Sequence, residues 1–454
     1  MRILLVILLL LPACQKVRIE SEFKALKSTT KNLTNTDIVF NSYSSCPAME
    51  KNVNCILAQG LERDEAVRIA VMNNPLLQAD FEMLGIAKAD LAQAGLYTNP
   101  QASNLFLYPT QDRGPGTTQV NIENKLTGKI SDLWRVPLRT RIYEDELEMV
   151  TLRILTTLLD VIERTKSAYD ASVKADLLIK NGERILFINT ELRDEIYYRQ
   201  GFGFSNELDK VNADAQVAAA RTAVVTYKIE QVDAYLRLTE LLGVLSPLQH
   251  IVFTDTIMTS KELPDSTVIE LYALDYSPEI QIARYKIKRY DDIIQFEKAS
   301  VWKDVNTGVA YKQDFDKPLR GWGPAIDFEI PLFDNNYAQI AKAEFKLERA
   351  KKKMRFKTLK IQQEIRMFFS QAQLVSQEIK HYKEIIIPSY QKAINYVYDY
   401  VQTMQQNMLE ALQTQLNFYR AEQDLIEKYY NFHVSYNKLE RAYGKNIIQK
   451  NSIN

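Results

Sequence analysis

The chain has 454 residues, and its 57 lysines and arginines are balanced by 57 aspartates and glutamates. The zero net charge argues against a nucleic-acid-binding protein, because such proteins need excess basic residues to displace counterions from phosphates. Glycine and proline number only 14 each, which indicates long helices with few turns, and 46% apolar residues excludes a disordered chain. Three histidines and three cysteines leave little material for a metal cage or a histidine-based catalytic centre.

The N-terminus has the pattern of a bacterial export signal. A basic residue precedes nine apolar residues, Ile3–Leu11, whereas a bilayer-spanning helix needs about 20. The residues Leu11-Pro12-Ala13-Cys14 resemble a lipobox, in which the cysteine becomes the lipidated first residue of the mature chain. We therefore expect a signal peptide over residues 1–13 and lipidation of Cys14, and Gln15 favours sorting to the outer membrane. An ordinary signal followed by a chance cysteine is the alternative.

Residues 14–60 are expected to form the lipidated N-terminal segment. Cys46 and Cys55 in this segment could form a disulfide in an exported chain, or could remain as two free thiols. No later segment has 18 apolar residues without charges. Any part of the chain that crosses a membrane would therefore have to consist of β-strands.

The chain contains one pattern twice. Three pairs of segments match in the same order, two of them at an offset of 203 residues and the third at an offset near 201: 73–79 with 276–282, 102–108 with 305–311, and 203–211 with 405–412. Such agreement in order and spacing argues against coincidence. We predict two copies, residues 61–245 and 266–445, with a connector at 246–265 and a tail at 446–454. Each copy is expected to contain a helix of about 30 residues, two strands, a very long helix, a turn and a returning helix.

The two copies are predicted to contribute two strand pairs, at about 102–110 and 118–126 and at about 304–313 and 321–331. Apolar and polar residues alternate most clearly in the last strand, whose apolar face carries Trp322, Pro324, Ile326, Phe328 and Ile330. This alternation is typical of a transmembrane barrel with a wet interior, and also of a half-buried sheet in a soluble domain. Four strands cannot close a barrel, and an open edge cannot lie in lipid. A membrane-spanning sheet would therefore be shared by several chains, and three chains would supply twelve strands.

Two stretches that are nearly free of glycine and proline predict very long helices, Leu138–Gln200 and Asn335–Gln402. Apolar residues recur every seven positions in the second stretch, at Ile340, Leu347, Met354, Ile361, Phe368, Val375 and Tyr382. A seven-residue repeat indicates coiled-coil packing, either in a long antiparallel coiled coil or in a helical tube made by several chains. The helices are expected to turn near residues 201–205 and 403–407, and to return through 206–243 and 408–443.

Three segments carry a resemblance to a known family: Glu65–Ala70 with Asn74-Pro75, Ile330–Asn336, and Asn407–Leu412. Over roughly residues 60–445 the chain resembles the outer membrane efflux protein family, the TolC-like channels. The resemblance implies a mainly α fold with two β-hairpins that assembles as a homotrimer. Each such trimer has a twelve-stranded β-barrel in the outer membrane and an α-helical tunnel through the periplasm.

The resemblance also implies a function and a set of partners. Such channels are the exit ducts of tripartite efflux pumps or of type I secretion systems. The expected partners are a periplasmic adaptor (membrane fusion) protein, an inner-membrane RND-type transporter and outer membrane lipid. The stretch Lys129–Arg135, with Arg139, is similar to the subgroup that works with heavy-metal RND pumps. Heavy-metal cations or drugs are therefore the expected cargo.

The resemblance further implies a periplasmic gate at the turns between the long helices. Asp209 and Glu410 match acidic positions that ring the pore in the family, and Arg199 and Gln402 are close enough in sequence to brace them. A ring of acids on the pore axis would attract cations and repel anions. The alternative is that both acids only stabilise the starts of the returning helices, where acidic residues are favoured.

The sequence contains no pattern typical of an enzyme. His250, His381 and His433 lie in unrelated contexts without ligand spacing, and there is no glycine-rich phosphate loop. We therefore expect neither catalysis nor a cofactor. The main alternative to a channel is a periplasmic coiled-coil adaptor or structural protein of a pump assembly that never enters the membrane.

Overall fold

The fold was analysed in a computed structural model, which describes residues 17–34, 37–38, 56–57, 59–108, 120–245, 251–259, 262–263, 265–314, 319–402 and 408–444. For residues 398–402 the description is limited to the backbone. The predicted signal peptide, the lipidation site Cys14 and the cysteines Cys46 and Cys55 lie outside the described residues.

Helices dominate the described part of the chain, and four strands interrupt them. The elements in chain order are α1 (Glu20–Thr34), α2 (Arg63–Asn73), α3 (Pro75–Ala94), β1 (Gln101–Leu107), β2 (Asn121–Lys129), α4 (Asp132–Gly201), α5 (Glu207–Leu242), α6 (Ser266–Tyr276), α7 (Pro278–Ala299), a 3-10 turn (Ser300–Trp302), β3 (Val305–Asp314), β4 (Leu319–Phe328), α8 (Tyr337–His381), a π-helical turn (Tyr382–Ile386), α9 (Ile387–Gln402) and α10 (Met408–Tyr443). The order from α2 to α5 recurs from α6 to α10.

The expectation of one helix of about 30 residues before each strand pair is wrong, because a proline divides each of these helices in two. Asn74 and Ser277 have extended ψ angles of 120° and 126°, and each precedes a proline that begins the next helix. The ring of a proline disfavours the helical conformation of the residue before it, so the break is local. Asn74 also accepts a hydrogen bond at Oδ1 from the Leu77 amide, which caps the start of α3.

The predicted long helices are present, with shifted limits and one irregularity. The first is α4, which has 70 residues and starts six residues earlier than expected, at Asp132. The second is interrupted by the π-helical turn, two residues before Pro388. A proline within a helix cannot donate the usual backbone hydrogen bond, and a π-helical turn is a common way to absorb such a disturbance.

The four strands form one antiparallel sheet in the order β1-β2-β3-β4. Strand β2 ends three residues later than expected, at Lys129, because the register places Gly128 opposite Thr307 and Lys129 opposite Asn306. Gly308 is required in this ladder, since a Cβ atom there would lie 1.9 Å from the carbonyl oxygen of Leu126.

The chain divides into two compact units. Unit 1 comprises residues 1–25, 82–153 and 279–357, and it contains the sheet with the helical segments that lead into and out of the strands. Unit 2 comprises residues 26–81, 154–278 and 358–454, and it contains the remaining parts of the long helices and the helices that return from them. Among the described residues, every helix is too short or too highly charged to span a lipid bilayer.

Candidate functional site

The sheet in unit 1 separates apolar from polar side chains most clearly in β3 and β4. Directly paired residues share one face, so the pairs Val309–Pro324 and Tyr311–Trp322 place the apolar positions of β3 and β4 together. Leu126 of β2 pairs with Val309 and joins the same face. The apolar face of β3 and β4 therefore reaches β2 at Leu126, whereas Leu105 and Leu107 of β1 lie on the opposite face.

The opposite face of the sheet carries charged residues. Glu123 of β2 pairs in register with Lys312 of β3, and the Lys125 ammonium contacts the Asp327 carboxylate of β4. At the end of the sheet, the Lys129 Nζ atom lies 2.6 Å from Asp304 Oδ1. Opposite charges on neighbouring strands stabilise the register and make this face compatible with water.

The apolar face is not covered by any other part of the described chain. The side chain of Trp322 is 81% exposed and that of Ile326 is 65% exposed, and Phe328 and Val309 are also exposed. A half-buried sheet of a soluble domain would pack such a face on its own core. An exposed apolar face of this extent instead marks contact with a membrane or another protein.

The predicted gate residue Asp209 lies in the first turn of α5, where it takes part in a capping box. The amide of Asp209 donates to Asn206 Oδ1 over 2.9 Å, and the amide of Asn206 donates to Asp209 Oδ2 over 3.0 Å. This geometry satisfies two backbone amides at the helix start. Asp209 thus has the capping role that the alternative assigns to it. The contact uses its Oδ2 atom, and its Oδ1 atom is not part of the capping box.

The other predicted gate residues have fewer side-chain contacts than Asp209. Glu410 lies exposed in the first turn of α10, where its backbone carbonyl accepts the Thr414 hydroxyl. The Arg199 carbonyl accepts the amides of Phe202 and Phe204, and its guanidinium has no ion pair within the described residues. Gln402 is the last residue of α9, and only its backbone is described. The bracing roles of Arg199 and Gln402 therefore stay predictions.

The segments next to the two turns pack on each other within unit 2. Ile188 and Leu192 of α4 form a buried cluster with Leu412 and Leu416 of α10. Leu412 and Leu416 are four residues apart, so they lie on one face of α10. This cluster fixes the helix segments that carry the candidate gate positions.

Unit 2 also contains a buried ionic cluster that sequence reasoning missed. The Arg63 guanidinium donates to both carboxylate oxygens of Asp170 over 3.0 Å and to Asn437 Oδ1 over 2.6 Å. Burial lowers the pKa of Arg63, but the Asp170 carboxylate outweighs this effect and holds the pKa above its usual value. The salt bridge Lys166–Glu440 lies on the same two long helices. In the sequence, the cluster is indicated only by an arginine at the start of α2. Arginines are common at such positions, so this one does not stand out as part of a buried cluster.

The described residues include no group of three or more histidines, cysteines and acids that could hold a metal ion. His433 is buried in α10, and its Nε2 atom lies 3.0 Å from the carbonyl oxygens of Ile257 and Thr259. His433 thus has a structural contact with the segment that follows α5. His250 lies outside the described residues.

Comparison with protein families identifies a match for residues 272–445, which agree with the model described as "Outer membrane efflux protein". The resemblance to this family that the sequence motifs predict is thereby confirmed. A curated relative is the "Cobalt-zinc-cadmium resistance protein CzcC" of Cupriavidus metallidurans, which is 20% identical over 372 residues. The alignment covers 80% of this chain and 84% of the relative.

Solved structures resemble this fold over most of its length. One is CusC, described by its conformational changes on "folding and transmembrane channel formation", with a TM-score of 0.68 and 17% identity over 85% of this chain and 92% of CusC. Another is the Campylobacter jejuni CmeC outer membrane channel, with a TM-score of 0.68 and 16% identity over 84% of this chain and 85% of CmeC. At such identities the likeness shows the fold alone.

Proposed function

Since residues 272–445 match the outer membrane efflux protein family and the fold resembles solved channels over 85% of the chain, we propose that this protein is the outer membrane channel component of an efflux system. The observation that carries the proposal is the exposed apolar face of the four-stranded sheet. Hydrocarbon is the environment in which such a face is stable, and the charged face opposite it would line a water-filled lumen.

The free edges of the sheet support a trimer. Strands β1 and β4 are the outer strands, and each has one edge without a partner among the residues that the structure describes. Unpaired backbone groups cannot lie in lipid, and small membrane barrels need about eight strands. Three copies of the four-stranded sheet would supply twelve strands and leave no edge unpaired. In this proposal, the recurring element order is a two-fold internal repeat that contributes one strand pair from each copy.

The long helices would extend the conduit into the periplasm. Helix α4, at about 1.5 Å per residue, is roughly 105 Å long, far more than a compact domain of this size requires. The turn after α4 exposes Phe202, Phe204 and Leu208. An exposed aromatic cluster at a helix turn fits docking by another protein, which supports a periplasmic adaptor as partner. An inner-membrane RND-type transporter would supply the energy, and the channel would conduct passively.

The periplasmic gate is proposed at Asp209 and Glu410, braced by Arg199 and Gln402. Both acids lie in the first turns of helices that return from the predicted turns. Three copies of each, brought near one axis, would form acidic rings that favour cations and repel each other. The capping box of Asp209 holds its carboxylate in one place, which a ring of fixed charge requires.

Divalent metal cations are the proposed cargo. The curated relative is named for resistance to cobalt, zinc and cadmium, and the segment Lys129–Arg135 with Arg139 fits the same subgroup. The test is to delete the gene and measure growth with each of these metals, and with dyes and detergents as controls. Sensitivity to metals alone supports this cargo, whereas sensitivity to dyes and detergents alone contradicts it.

The anchor and the assembly can be tested together. Cys14 is the proposed lipidation site, and the protein is expected in the outer membrane with its helices in the periplasm. A Cys14→Ala chain should lose radiolabelled palmitate but still remain with outer membranes after carbonate washing, because the strands hold it there. Purified in detergent, it should have the mass of a trimer. A washed-off monomer would contradict the channel and favour a periplasmic adaptor.

A further inference from the structure

Three junctions between strands and helices meet at one end of the sheet in unit 1. The Ser131 hydroxyl, just after β2, donates to the Lys303 carbonyl, just before β3, over 2.7 Å. The Asn336 side chain, between β4 and α8, donates to the Glu297 carbonyl near the end of α7 over 2.8 Å. These hydrogen bonds join the junctions into one surface. We call it the rim, and it comprises residues 130–135, 297–304 and 329–336.

The rim exposes large apolar side chains beyond the ends of the strands. Phe333 is 98% exposed and Leu332 is 76% exposed. The Trp302 ring is also exposed, and its centroid lies 6.4 Å from that of Phe328. Phe328 belongs to the apolar face of the sheet, so Trp302 extends this face from β4 onto the rim. The partner of the rim therefore adjoins whatever covers the apolar face, which is lipid in the proposed channel.

Two lysines lie next to Trp302. Lys303 follows it directly, and Lys298 precedes it by four residues on the helical stretch of α7 and the 3-10 turn, which makes their side chains neighbours. Both lysines are exposed, and neither has an ion pair or a side-chain hydrogen bond within the described residues. The dipole of α7 favours a cation at Lys298 in its last turn, but it gives no reason for a second cation beyond the helix end.

The acidic residues nearest to these two lysines along the chain have partners of their own. Glu297 Oε2 accepts the Asn336 side-chain amide over 2.8 Å. Asp304 Oδ1 forms an ion pair with Lys129 Nζ over 2.6 Å. An anion that neutralises the two lysines therefore has to come from outside the described residues, and charge complementarity selects an anionic partner for the rim.

The length of the strands indicates where the rim lies in a bilayer. Strands β3 and β4 have 10 residues each. At about 3.3 Å per residue and a tilt of about 45°, such a strand covers about 23 Å of the membrane normal, close to the apolar band of about 25 Å that membrane barrels have. The rim begins directly after these strands and so falls in the headgroup layer. Because the long helices leave from this end, it faces the periplasm in the proposed channel.

We propose that the rim binds the anionic headgroups of phospholipids in the periplasmic leaflet of the outer membrane. Lys298 and Lys303 pair with headgroup phosphates, as basic residues do at anionic membrane surfaces. Trp302 lies at the boundary between headgroups and acyl chains, where its apolar ring and its polar N–H group are both accommodated. Leu332 and Phe333 contact the adjoining apolar part of the lipid. This site rests on the channel proposed above and specifies the lipid at its periplasmic boundary.

Fluorescence quenching measures the depth of Trp302. The chain has three tryptophans, so Trp134→Phe with Trp322→Phe leaves Trp302 as the only one. The full-length variant is reconstituted in phospholipid vesicles that carry a nitroxide either on the headgroup or at the end of an acyl chain. The headgroup label should quench Trp302 several-fold more than the acyl-chain label does.

A tryptophan in the middle of the sheet is the matched control. Val309 lies on the apolar face of β3, four residues from its start at the rim. Val309→Trp is placed in a chain whose own three tryptophans are changed to phenylalanine. The order of quenching should be reversed in this chain, because the acyl-chain label reaches the middle of the sheet and the headgroup label does not.

The preference for an anionic headgroup is measured with the same fluorescence. The chain with Trp302 alone is placed in phosphatidylcholine vesicles that contain a rising fraction of brominated phosphatidylglycerol, whose bromine atoms quench the ring. Quenching should exceed that expected from random mixing, which corresponds to a several-fold preference. Lys298→Gln and Lys303→Gln together should abolish the preference, whereas Lys312→Gln, on the charged face of the sheet, should leave it unchanged.

Two results would overturn the lipid site: a Trp302 ring that the headgroup label quenches no better than the acyl-chain label, and a preference for phosphatidylglycerol that is absent or survives both lysine changes. In either case, quenching of the Val309→Trp chain by the acyl-chain label leaves the proposed channel standing. A Val309→Trp chain that neither label quenches would overturn the channel, and the lipid site with it.

Discussion

Arg63 shows how a single side chain can fasten three helices of unit 2. It is the first residue of α2, and its guanidinium reaches Asp170 on α4 and Asn437 on α10. The Asp170 side chain is only 1% exposed, and within this cluster Arg63 supplies the positive charge that pairs with it. Removing one partner of a buried ion pair leaves an uncompensated charge, which costs more than the pair itself contributes.

We therefore expect Arg63→Ala to lower the free energy of unfolding by about 3–5 kcal/mol. Thermal or denaturant unfolding of the detergent-solubilised protein measures the change. Arg68→Ala removes an exposed arginine from the same helix and should change stability little. If both variants unfold at the same temperature, the cluster does not hold the helices together. The chain with Arg63→Met and Asp170→Leu should recover part of the loss, because no charge is then left unpaired.

A pH dependence is expected from Asp292, which is buried in α7. Burial, followed by the facing Asp145 carboxylate, raises the pKa of Asp292 above its usual value, and Lys288 and Arg141 offset this only in part. A carboxyl group whose pKa is raised in the fold stabilises the fold at pH values below its unfolded pKa. That stabilisation is lost as the pH rises through the folded pKa.

The variant Asp292→Asn should therefore be more stable than the unaltered chain at pH 7, and the difference should shrink as the pH falls towards 4. Melting temperatures across this range provide the measurement. Asp291→Asn, one position away on the exposed side of the helix, is the matched control and should show no such trend. A difference that stays constant with pH would contradict the raised pKa.

At the scale of the element, the junction of α5 with α2 and α3 depends on one glycine. Gly243 ends α5 with a left-handed φ of 69°, and a Cβ atom there would lie 2.4 Å from the Asn73 carbonyl oxygen. The side-chain amide of Asn73 in turn donates to the backbone carbonyls of Leu242 and Gly243 over 2.8 and 3.1 Å. The returning helix therefore ends directly against the helix pair at the other end of its repeat.

Gly243→Ala should destabilise the protein in two ways, by the left-handed conformation and by the clash with Asn73. Gly203 has a similar φ of 79° with open space around it, so Gly203→Ala isolates the conformational cost, which is roughly 1–2 kcal/mol. The loss for Gly243→Ala should exceed that for Gly203→Ala in the same unfolding experiment. Equal losses would mean that the junction relaxes to admit a methyl group.

The element types could be predicted from the sequence because each rests on local chemistry. Alternation over 321–331 and long runs without glycine or proline specify the strands and long helices within a few residues. The break at Asn74 could also have been read from Pro75, since the ring restricts the residue before it. The cluster around Arg63 and the charge pairing of Lys288 with Asp145 could not, because both depend on which helices become neighbours.

At the scale of the whole molecule, the two free edges of the sheet are the surfaces that the proposed trimer would join. Among the described residues, the sheet exposes an apolar face and leaves one edge of β1 and one edge of β4 unpaired. In the proposed trimer, each copy would add one β4–β1 junction, and closure of the ring would leave no sheet edge unpaired. The rotation axis of the proposed trimer would also relate the three copies of Asp209 and of Glu410 to one another.

The proposed gate gives the last prediction, which separates charge from capping. Asp209→Asn with Glu410→Gln removes both acidic rings while keeping the side-chain size, and it should raise single-channel conductance in planar bilayers and weaken cation preference. Asn206→Ala removes the cap of the same helix and keeps the charges, so it should cost about 1 kcal/mol of stability without changing conductance. If Asn206→Ala opens the channel as much as the double change does, the acids act only through the helix start and the gate lies elsewhere.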